Sequence, residues 1–241
     1  DAVFEVTDAE GGTDLVIEQR TEPNAASRGM LARFAAAHHI ARISWRPSGE
    51  AEPELVAQLG TPTLQFGGIP VDLPAGAFVQ ASPTAEAALL AEVMAAARGA
   101  KRIVDLYAGC GAFTLPLAAA APVHAVEGNA SAARALEQAA RRASLRVTVE
   151  QRDLARRPLQ GDEFKKIDLV VLDPPRAGAR EQSDALAKSK VPTIAYVSCN
   201  PATFARDARV LVDGGYRLER VVPVDQFLWS AHIELVAVFR R

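Results

Sequence analysis

The chain has 241 residues, of which 49% are hydrophobic and 23% are charged, and its formal net charge is −2. This composition is typical of a folded globular protein and excludes a disordered or fibrous chain. With 27 Lys and Arg against 29 Asp and Glu, it also excludes a strongly basic surface, so a nucleic-acid partner would need a local patch. The two cysteines, Cys110 and Cys199, exclude a disulfide framework and a four-thiolate metal centre.

The N-terminal residues and the longest apolar run indicate the compartment. The first residues include acidic side chains where a secretory signal needs basic ones followed by an apolar segment. The most apolar run begins at Leu115 and is far shorter than the roughly 20 residues that cross a bilayer. We therefore expect a cytoplasmic protein with no membrane partner. Because the chain begins at Asp1 inside a strand-like stretch, we also expect a fragment of a longer protein.

Residues 1–75 alternate short strand-like stretches with one helical segment. The helical segment covers residues 24–38, and the strand-like stretches lie near Val3, Leu15, Ile43 and Thr63. Gly and Pro residues separate these stretches. The pattern predicts a small α+β accessory region, the remnant of a longer N-terminal part.

From residue 76 to residue 241 the pattern predicts one larger α/β domain. Ser82 followed by Pro83 is typical of a helix start. Five strand candidates follow, at residues 102–106, 123–127, 147–151, 167–172 and 193–198, and helical stretches come after four of them, at 112–120, 130–143, 179–188 and 201–212. This alternation predicts a doubly wound, mainly parallel sheet. Two strand candidates without a helix between them, 216–224 and 233–239, predict an antiparallel C-terminal edge.

Ligands of such sheets bind where the strands end, and the first strand ends in a glycine loop. Gly109 and Gly111 allow a tight turn and a close approach of the backbone to a ligand. The loop alone fits a dinucleotide or another cofactor equally well, although Thr114 stands where a dinucleotide loop needs a third glycine. Asp105 would repel a pyrophosphate but suits a ligand with an ammonium or sulfonium charge, such as S-adenosylmethionine.

Two further acids follow the next two strands. Glu127 can accept both hydroxyls of a ribose, because a carboxylate has two oxygens. Asp153 is then placed to bind an adenine amino group. Each acid alone could equally lie in a solvated loop or cap a helix. Three acids at successive strand ends favour a cofactor site.

The last two parallel strands are followed by residues of types that take part in catalysis. The fourth strand leads to Asp173, two prolines and Arg176, and Arg176 stands where an aromatic side chain would indicate methylation of an amino group. Cys199 follows the fifth strand at the start of a predicted helix, where the helix dipole lowers a thiol pKa and favours a nucleophilic thiolate. For Cys110, between two glycines, we prefer the alternative of a buried, inert thiol.

From Phe78 to the C-terminus the chain resembles the RNA uracil-5-methyltransferases, S-adenosylmethionine-dependent enzymes that form 5-methyluridine in tRNA or rRNA. Five motifs in order carry the resemblance: FVQ at 78–80, DLYAGCGAFTLPL at 105–117, DPPRAG at 173–178, SCNPATFARD at 198–207 and VDQFLWSAHIE at 224–234. The resemblance implies a seven-stranded class I methyltransferase sheet and S-adenosylmethionine as the cofactor.

The resemblance also implies roles for the matching residues. Cys199 would be the nucleophile that adds to uracil C6, and Glu234 the general base that removes the C5 proton. Asp173 would lie near the uracil and the reacting methyl group. The expected cofactor contacts are Gln80, Tyr107, Gly109, Gly111, the backbone N–H of Ala112, Glu127, Asp153 and Asp173.

RNA is the expected partner, with rRNA slightly favoured over tRNA. The target nucleotide must leave its stack to reach the catalytic groups, and Phe78 or Tyr107 would line its pocket. The candidates for phosphate contacts are Arg176, Arg180 and Arg206, and for each the alternative is a solvated surface charge.

His232 lies two residues before Glu234, on the same face if that stretch is extended. There it would orient the base or the RNA, and the alternative is packing or solvent exposure. No two histidines have a metal-ligand spacing, so we expect no metal, and the chain does not support an iron–sulfur cluster. We expect a monomer.

Two other functions stay open at the level of sequence. A nicotinamide-dependent oxidoreductase is disfavoured by the missing third glycine and by Asp105. A non-catalytic RNA-binding factor that retains the methyltransferase fold is disfavoured because Cys199 and Glu234 are both present.

Overall fold

The structure is a computed structural model that describes residues 2–49, 51–80, 82–226, 229–230 and 232–241. The chain divides into two compact units, Asp1–Phe78 and Val79–Arg241. The functional assignment of residues 1–75 and 76–241 stays a prediction. Within the part of the chain that is described, no helix is long and apolar enough to cross a membrane.

The first unit is a small α+β unit with its own core. Its four-stranded sheet has the order β1-β2-β3-β4, with β1 at Val3–Thr7, β2 at Thr13–Glu18, β3 at Ile40–Arg46 and β4 at Glu54–Gln58. Helix α1 (Ala25–Ala37) connects the parallel strands β2 and β3 and is capped by Asn24, whose side chain accepts a hydrogen bond from the Ser27 N–H. A hairpin of β5 (Thr63–Phe66) and β6 (Ile69–Asp72) follows.

The second unit contains a seven-stranded sheet with the order β12-β13-β11-β10-β7-β8-β9. The strands are β7 (Ile103–Leu106), β8 (Val123–Glu127), β9 (Val147–Gln151), β10 (Leu169–Leu172), β11 (Thr193–Ser198), β12 (Arg217–Val224) and β13 (Glu234–Arg240). The helices are α2 (Pro83–Ala96), α3 (Thr114–Ala118), α4 (Ala130–Arg142), α5 (Arg180–Ala187) and α6 (Pro201–Asp213). Strands β7 to β11 are parallel, and β13 pairs antiparallel with both β11 and β12. The predicted fold class is confirmed.

The middle of the sheet is covered on both faces, and its strand β10 is apolar and buried at every position. Along β10, Leu169 and Val171 belong to one hydrophobic core, whereas Val170 and Leu172 belong to the other. Such continuous apolar runs are typical of strands buried on both faces. The strand order reverses between β10 and β7, and ligands of doubly wound sheets bind beside this reversal.

Of the element boundaries that differ from the sequence predictions, two have a clear local reason. Helix α3 begins at Thr114 rather than at residue 112, because Gly109 (φ +53°) and Gly111 (φ +101°) hold the preceding backbone outside the helical region. Strand β10 begins at Leu169 rather than at residue 167. The Asp168 side chain instead accepts hydrogen bonds from the N–H groups of Lys101 and Arg102.

Candidate active site

The loop after β7 combines close packing at one glycine with open space at another. A Cβ on Gly111 would lie 2.5 Å from Leu136 Cδ1, so only glycine lets the loop pack on α4. At Gly109 no neighbouring atom lies within 4 Å of the Cβ position. Tyr107, just before these glycines, also has a positive φ of 61°. The backbone at Gly109 can therefore approach a ligand closely.

Glu127 ties this loop to the end of β8. Its Oε2 accepts a hydrogen bond from the Gly109 N–H at 2.7 Å, and its Oε1 accepts one from the Asn129 N–H at 2.7 Å. A carboxylate offers about four lone-pair sites, so these two bonds leave capacity for hydroxyl donors. Glu127 is half-buried, and a ribose edge would suit its position beside the loop.

Asp105 lies within the sheet, beneath the glycine loop. Its Oδ2 accepts a hydrogen bond from Thr114 Oγ1 at 2.5 Å, while its Oδ1 is buried without a hydrogen-bond partner among the described residues. Burial, opposed by the hydrogen bond from Thr114 and reinforced by the negative charge of Glu127, raises the pKa of Asp105 to about 7. A buried acceptor oxygen without a partner suits a cationic group bound nearby.

Asp153 has a local structural role. Its Oδ1 accepts hydrogen bonds from the N–H groups of Ala155 and Arg156, so it caps a turn, as the alternative interpretation held. Its Oδ2 lies 3.3 Å from Arg156 Nε in an exposed ion pair. Binding of adenine by Asp153 stays a prediction.

Three candidate catalytic residues lie where the parallel strands have their carboxyl ends, on or directly after neighbouring strands. This end of the sheet is called the catalytic edge below. Asp173 follows β10, Cys199 follows β11, and Glu234 is the first residue of β13. Because β13 is antiparallel to β11, with Ser198 opposite Leu235, its first residue lies at the carboxyl end of the parallel strands. The negative charges of Glu234 and Asp173 both raise the pKa of Cys199, as expected for close neighbours.

The predicted lowering of the Cys199 pKa is wrong. Although Cys199 lies just before α6, burial raises its pKa, and the nearby carboxylates of Glu234 and Asp173 raise it further. Arg176 supplies the opposing charge and lowers it. Desolvation and the two carboxylates therefore outweigh the charge of Arg176, and the net shift is opposite to the one predicted from the helix start.

The two carboxyl groups at this edge also have raised pKa values. Burial and the charge of Glu234, followed by that of Asp105, raise the pKa of Asp173 to about 8. Burial raises the pKa of Glu234, whereas a hydrogen bond from Gln226 and the charge of Arg176 lower it. Asp173 is therefore mainly protonated at neutral pH and can donate a hydrogen bond.

Gln226 is a site residue that the sequence analysis did not single out. Its Nε2 donates to Gln80 Oε1 at 3.0 Å, so it connects a predicted cofactor contact with the predicted base Glu234. Its own Oε1 is buried without a partner among the described residues. The sequence signal that could have identified Gln226 was its position inside the motif that ends at Glu234.

Phe78, which was predicted to line the pocket for the target nucleotide, is 77% exposed and belongs to the first unit.

The loop that begins at Asp173 is held by residues from the Cys199 segment. The carbonyl oxygen of Arg176 accepts hydrogen bonds from Asn200 Nδ2 at 3.0 Å and from Thr203 Oγ1 at 3.1 Å. The Arg176 guanidinium lies 3.2 Å from Nδ1 of His232, which is exposed. His232 lies two residues before β13 begins, and its predicted role in orienting the base or the RNA stays a prediction.

The other predicted arginines differ in their surroundings. Arg206 is exposed, but it donates from Nε to Asp207 at 2.8 Å and from Nη2 to the Ala177 carbonyl at 3.0 Å, so two of its guanidinium nitrogens already have partners within the chain. Arg180 is exposed at the start of α5. Their contacts with RNA phosphates stay predictions.

Two further predictions, an inert Cys110 and no bound metal, concern residues other than Cys199, Asp173 and Glu234. Cys110 is buried, and burial and Glu127 raise its pKa to about 12, so it is protonated near neutral pH. Among the described residues, no three His, Cys, Asp or Glu side chains are grouped so that they could hold a metal ion.

Comparison with known proteins identifies the family. The family model of tRNA (uracil-5-)-methyltransferases matches residues 146–241, and the model of the methyltransferase small domain matches residues 69–192. An RNA methyltransferase of Mesorhizobium japonicum is 45% identical over 238 residues, which are 98% of this chain and 56% of that relative. The chain belongs to the RNA uracil-5-methyltransferase family.

Other members of this family and their structures show how far the similarity extends. The 23S rRNA (uracil(1939)-C(5))-methyltransferase of Chromohalobacter salexigens is 38% identical over 253 aligned residues, covering 98% of this chain and 51% of that relative. The fold matches a crystal structure of the Pyrococcus abyssi tRNA (uracil-54, C5)-methyltransferase in complex with S-adenosyl-L-homocysteine, with a TM-score of 0.76 and 23% identity over 98% of this chain and 59% of that chain. The chain spans little more than half the length of these relatives.

Proposed function

We propose that the protein transfers a methyl group from S-adenosylmethionine to C5 of a uridine in RNA, through a covalent bond between Cys199 Sγ and uracil C6. The observation that carries this proposal is the grouping of Cys199, Asp173 and Glu234 at one sheet edge, on neighbouring strands. The 23S rRNA enzyme among the relatives supports rRNA as the substrate class. A monomeric state and a cytoplasmic location stay predictions.

The residues around the glycine loop fit the cofactor. Glu127 has acceptor capacity for the ribose hydroxyls, Gly109 lies against open space, and Asp105 has a buried oxygen without a partner. Tyr107, Gly111 and the backbone N–H of Ala112 would complete the loop contacts, with Gln80 and Asp153 contributing from outside it. When bound, S-adenosylmethionine supplies an electrophilic methyl group on a sulfonium.

The chain's own groups would activate the uracil. C5 of uracil is a weak nucleophile, and addition of the Cys199 thiolate to C6 creates an enolate that raises the electron density at C5. Protonated Asp173 can donate a hydrogen bond to an oxygen on which negative charge develops. After C5 carries the methyl group, Glu234 takes the C5 proton, the C5–H electron pair forms the C5=C6 double bond, and cleavage of the bond between Sγ and C6 releases the Cys199 thiolate. The raised pKa of Glu234 suits it as a base near neutral pH.

The covalent step can be tested with RNA that contains 5-fluorouridine. The base cannot remove fluorine from C5 as it removes a proton, so the adduct persists and survives denaturing electrophoresis. We expect a shifted band with the wild-type protein and with Cys110→Ala, but none with Cys199→Ala. With ordinary RNA, Glu234→Gln should accumulate the corresponding adduct, which keeps its C5 proton, because elimination no longer follows addition. An adduct formed by Cys199→Ala, or normal turnover by Glu234→Gln, would contradict these roles.

A further inference from the structure

Helix α6 carries a buried acid to which the proposed mechanism gives no role. Asp207 has no exposed surface, and its carboxylate accepts three hydrogen bonds of 2.7 to 2.8 Å. The donors are the backbone N–H of Ala179, the hydroxyl of Tyr196 and Nε of Arg206. A buried carboxylate is costly unless it is fully bonded, so these three donors account for its presence.

The three donors come from separate parts of the catalytic edge. Ala179 ends the loop that begins at Asp173, and Tyr196 lies on β11, the strand that leads to Cys199. Arg206 extends the connection, because its Nη2 donates to the Ala177 carbonyl. Asp207 therefore joins the far end of the Asp173 loop to the strand and helix on either side of Cys199.

The loop fits around this carboxylate with no spare room. Gly178 has a φ of +79°, and a Cβ there would lie 2.6 Å from Asp207 Oδ2 and 2.7 Å from Arg206 Nη2. The middle of the loop is held separately, by the bonds from Asn200 and Thr203 to the Arg176 carbonyl. Two independent attachments fix one short loop, which leaves little freedom for the residues it carries.

We propose that Asp207 is a positioning residue that holds the loop from Asp173 to Ala179 against the Cys199 segment, and so sets the separation of the acid, the cation and the thiol. Arg206 acts with it as a clamp, through its bonds to Asp207 and to the Ala177 carbonyl. This inference rests on the proposed function, since the geometry it protects is that of the uracil site. Asp207 touches no reacting atom.

The variant Asp207→Asn tests the inference with the least change in volume. Oδ2 accepts from Ala179 and Tyr196, and Oδ1 accepts from Arg206. An amide has only one acceptor oxygen, so its NH2 group must face at least one of these donors. The matched control is Asp213→Asn on the same helix, where an exposed Asp213 pairs with Arg209 Nε at 2.9 Å away from the loop.

The measurements use the full-length protein with RNA and S-adenosylmethionine. We expect Asp207→Asn to lower kcat by about 10²-fold, since small displacements of reacting groups have such effects, with the KM for RNA and the cofactor affinity near wild-type values. Hydrogen exchange of a peptide covering 173–180 should become faster, and the rate of alkylation of Cys199 by iodoacetamide should change. Asp213→Asn should match the wild type in all five measurements. Wild-type kcat and exchange in Asp207→Asn would overturn the proposal.

If Asp207→Asn does not fold, a second variant tests whether the loop is held in this way. Arg206→Gln keeps Asp207 and removes the clamp, so it should lower kcat and speed up exchange in the loop. A rise in the KM for RNA at unchanged kcat would instead make Arg206 an RNA contact and overturn its role in the clamp. If the wild-type protein transfers no methyl group, the proposed function fails, and hydrogen exchange and Cys199 alkylation still decide whether Asp207 holds the loop.

Discussion

At the scale of single residues, the candidate site places a thiol among negative charges. Glu234 and Asp173 raise the pKa of Cys199, and Arg176 is the cation that lowers it. Arg176 also lowers the pKa of Glu234. The charge of Arg176 therefore favours the reactive form of the proposed nucleophile, whether or not its guanidinium also contacts RNA.

We predict that Arg176→Gln makes Cys199 less reactive at a given pH. The thiolate fraction rises with pH, so the rate of alkylation of Cys199 by iodoacetamide should also rise with pH in both proteins. Removing the guanidinium should move the variant's curve to higher pH, and one pKa unit corresponds to about tenfold in rate below the pKa. Arg209→Gln, on the exposed face of α6, is the control and should leave the curve in place. An unshifted curve for Arg176→Gln would show that its charge does not act on the thiol.

Asp105 predicts a specific pH dependence of stability. Its pKa is raised to about 7 in the folded protein, against about 3.9 in an unfolded chain. The stability that this difference contributes is complete below pH 4 and is lost as the pH rises through about 7.

The variant Asp105→Asn lacks this loss, and its amide oxygen can still accept the Thr114 hydroxyl. We therefore expect the Tm of the variant, relative to that of the cofactor-free wild type, to increase by a few degrees between pH 5 and pH 8. Thermal unfolding at the two pH values measures this change. A constant difference in Tm across that range would mean that Asp105 is already ionised in the folded protein.

At the scale of elements, the glycine loop between β7 and α3 can be tested with a matched pair of glycines. Gly109 (φ +53°) and Gly161 (φ +55°) have nearly the same positive φ, and neither has an atom within 4 Å of its Cβ position. Alanine at either site should cost about 1–2 kcal/mol of stability from backbone strain alone. Only the open space beside Gly109 is proposed to hold the cofactor, so the two variants should differ in cofactor affinity.

Gly109→Ala should weaken binding of S-adenosylmethionine by about tenfold or more, because its methyl group enters the space proposed for the cofactor. Gly161→Ala should bind like the wild type, with a similar decrease in Tm. Isothermal titration calorimetry measures both affinities. Equal affinities for the two variants would place the cofactor away from Gly109.

The elements show which features the sequence could predict. The alternation of apolar runs and helical stretches identified all seven strands of the large sheet, and the glycines placed its first loop. The role of Asp207 could not be predicted in this way, because Ala179 lies 28 residues away in the sequence. One signal was available: Asp207 shares a helical face with the buried Phe204, Ala208 and Leu211, and an acid on an apolar face needs partners.

The pKa of Cys199 shows the same limit of sequence reasoning. The helix start after it was predictable, and α6 begins at Pro201. The opposing effects come from Glu234 and Asp173, which only the sheet topology brings close to the thiol. A helix dipole read from sequence therefore gave the wrong sign.

At the scale of the whole molecule, the candidate cofactor residues from Gln80 to Asp173 all belong to the unit Val79–Arg241. That unit has hydrophobic cores on both faces of its sheet, as expected for a domain that folds alone. We predict that residues 79–241 expressed alone bind S-adenosylmethionine within about threefold of the affinity of the whole chain, or less than 1 kcal/mol. Calorimetry on both proteins tests this. Binding by the whole chain without binding by residues 79–241 would show that the first unit is required for the cofactor site.

The central claim is methyl transfer to C5 of a uridine through Cys199. The most direct test incubates the full-length protein with S-adenosylmethionine labelled in its methyl group and total RNA that lacks the modification, and then identifies the labelled nucleoside and maps the labelled RNA fragment. The account predicts label in 5-methyluridine of one RNA with the wild-type protein and none with Cys199→Ala. Label in a different nucleoside, or full activity of Cys199→Ala, would contradict it.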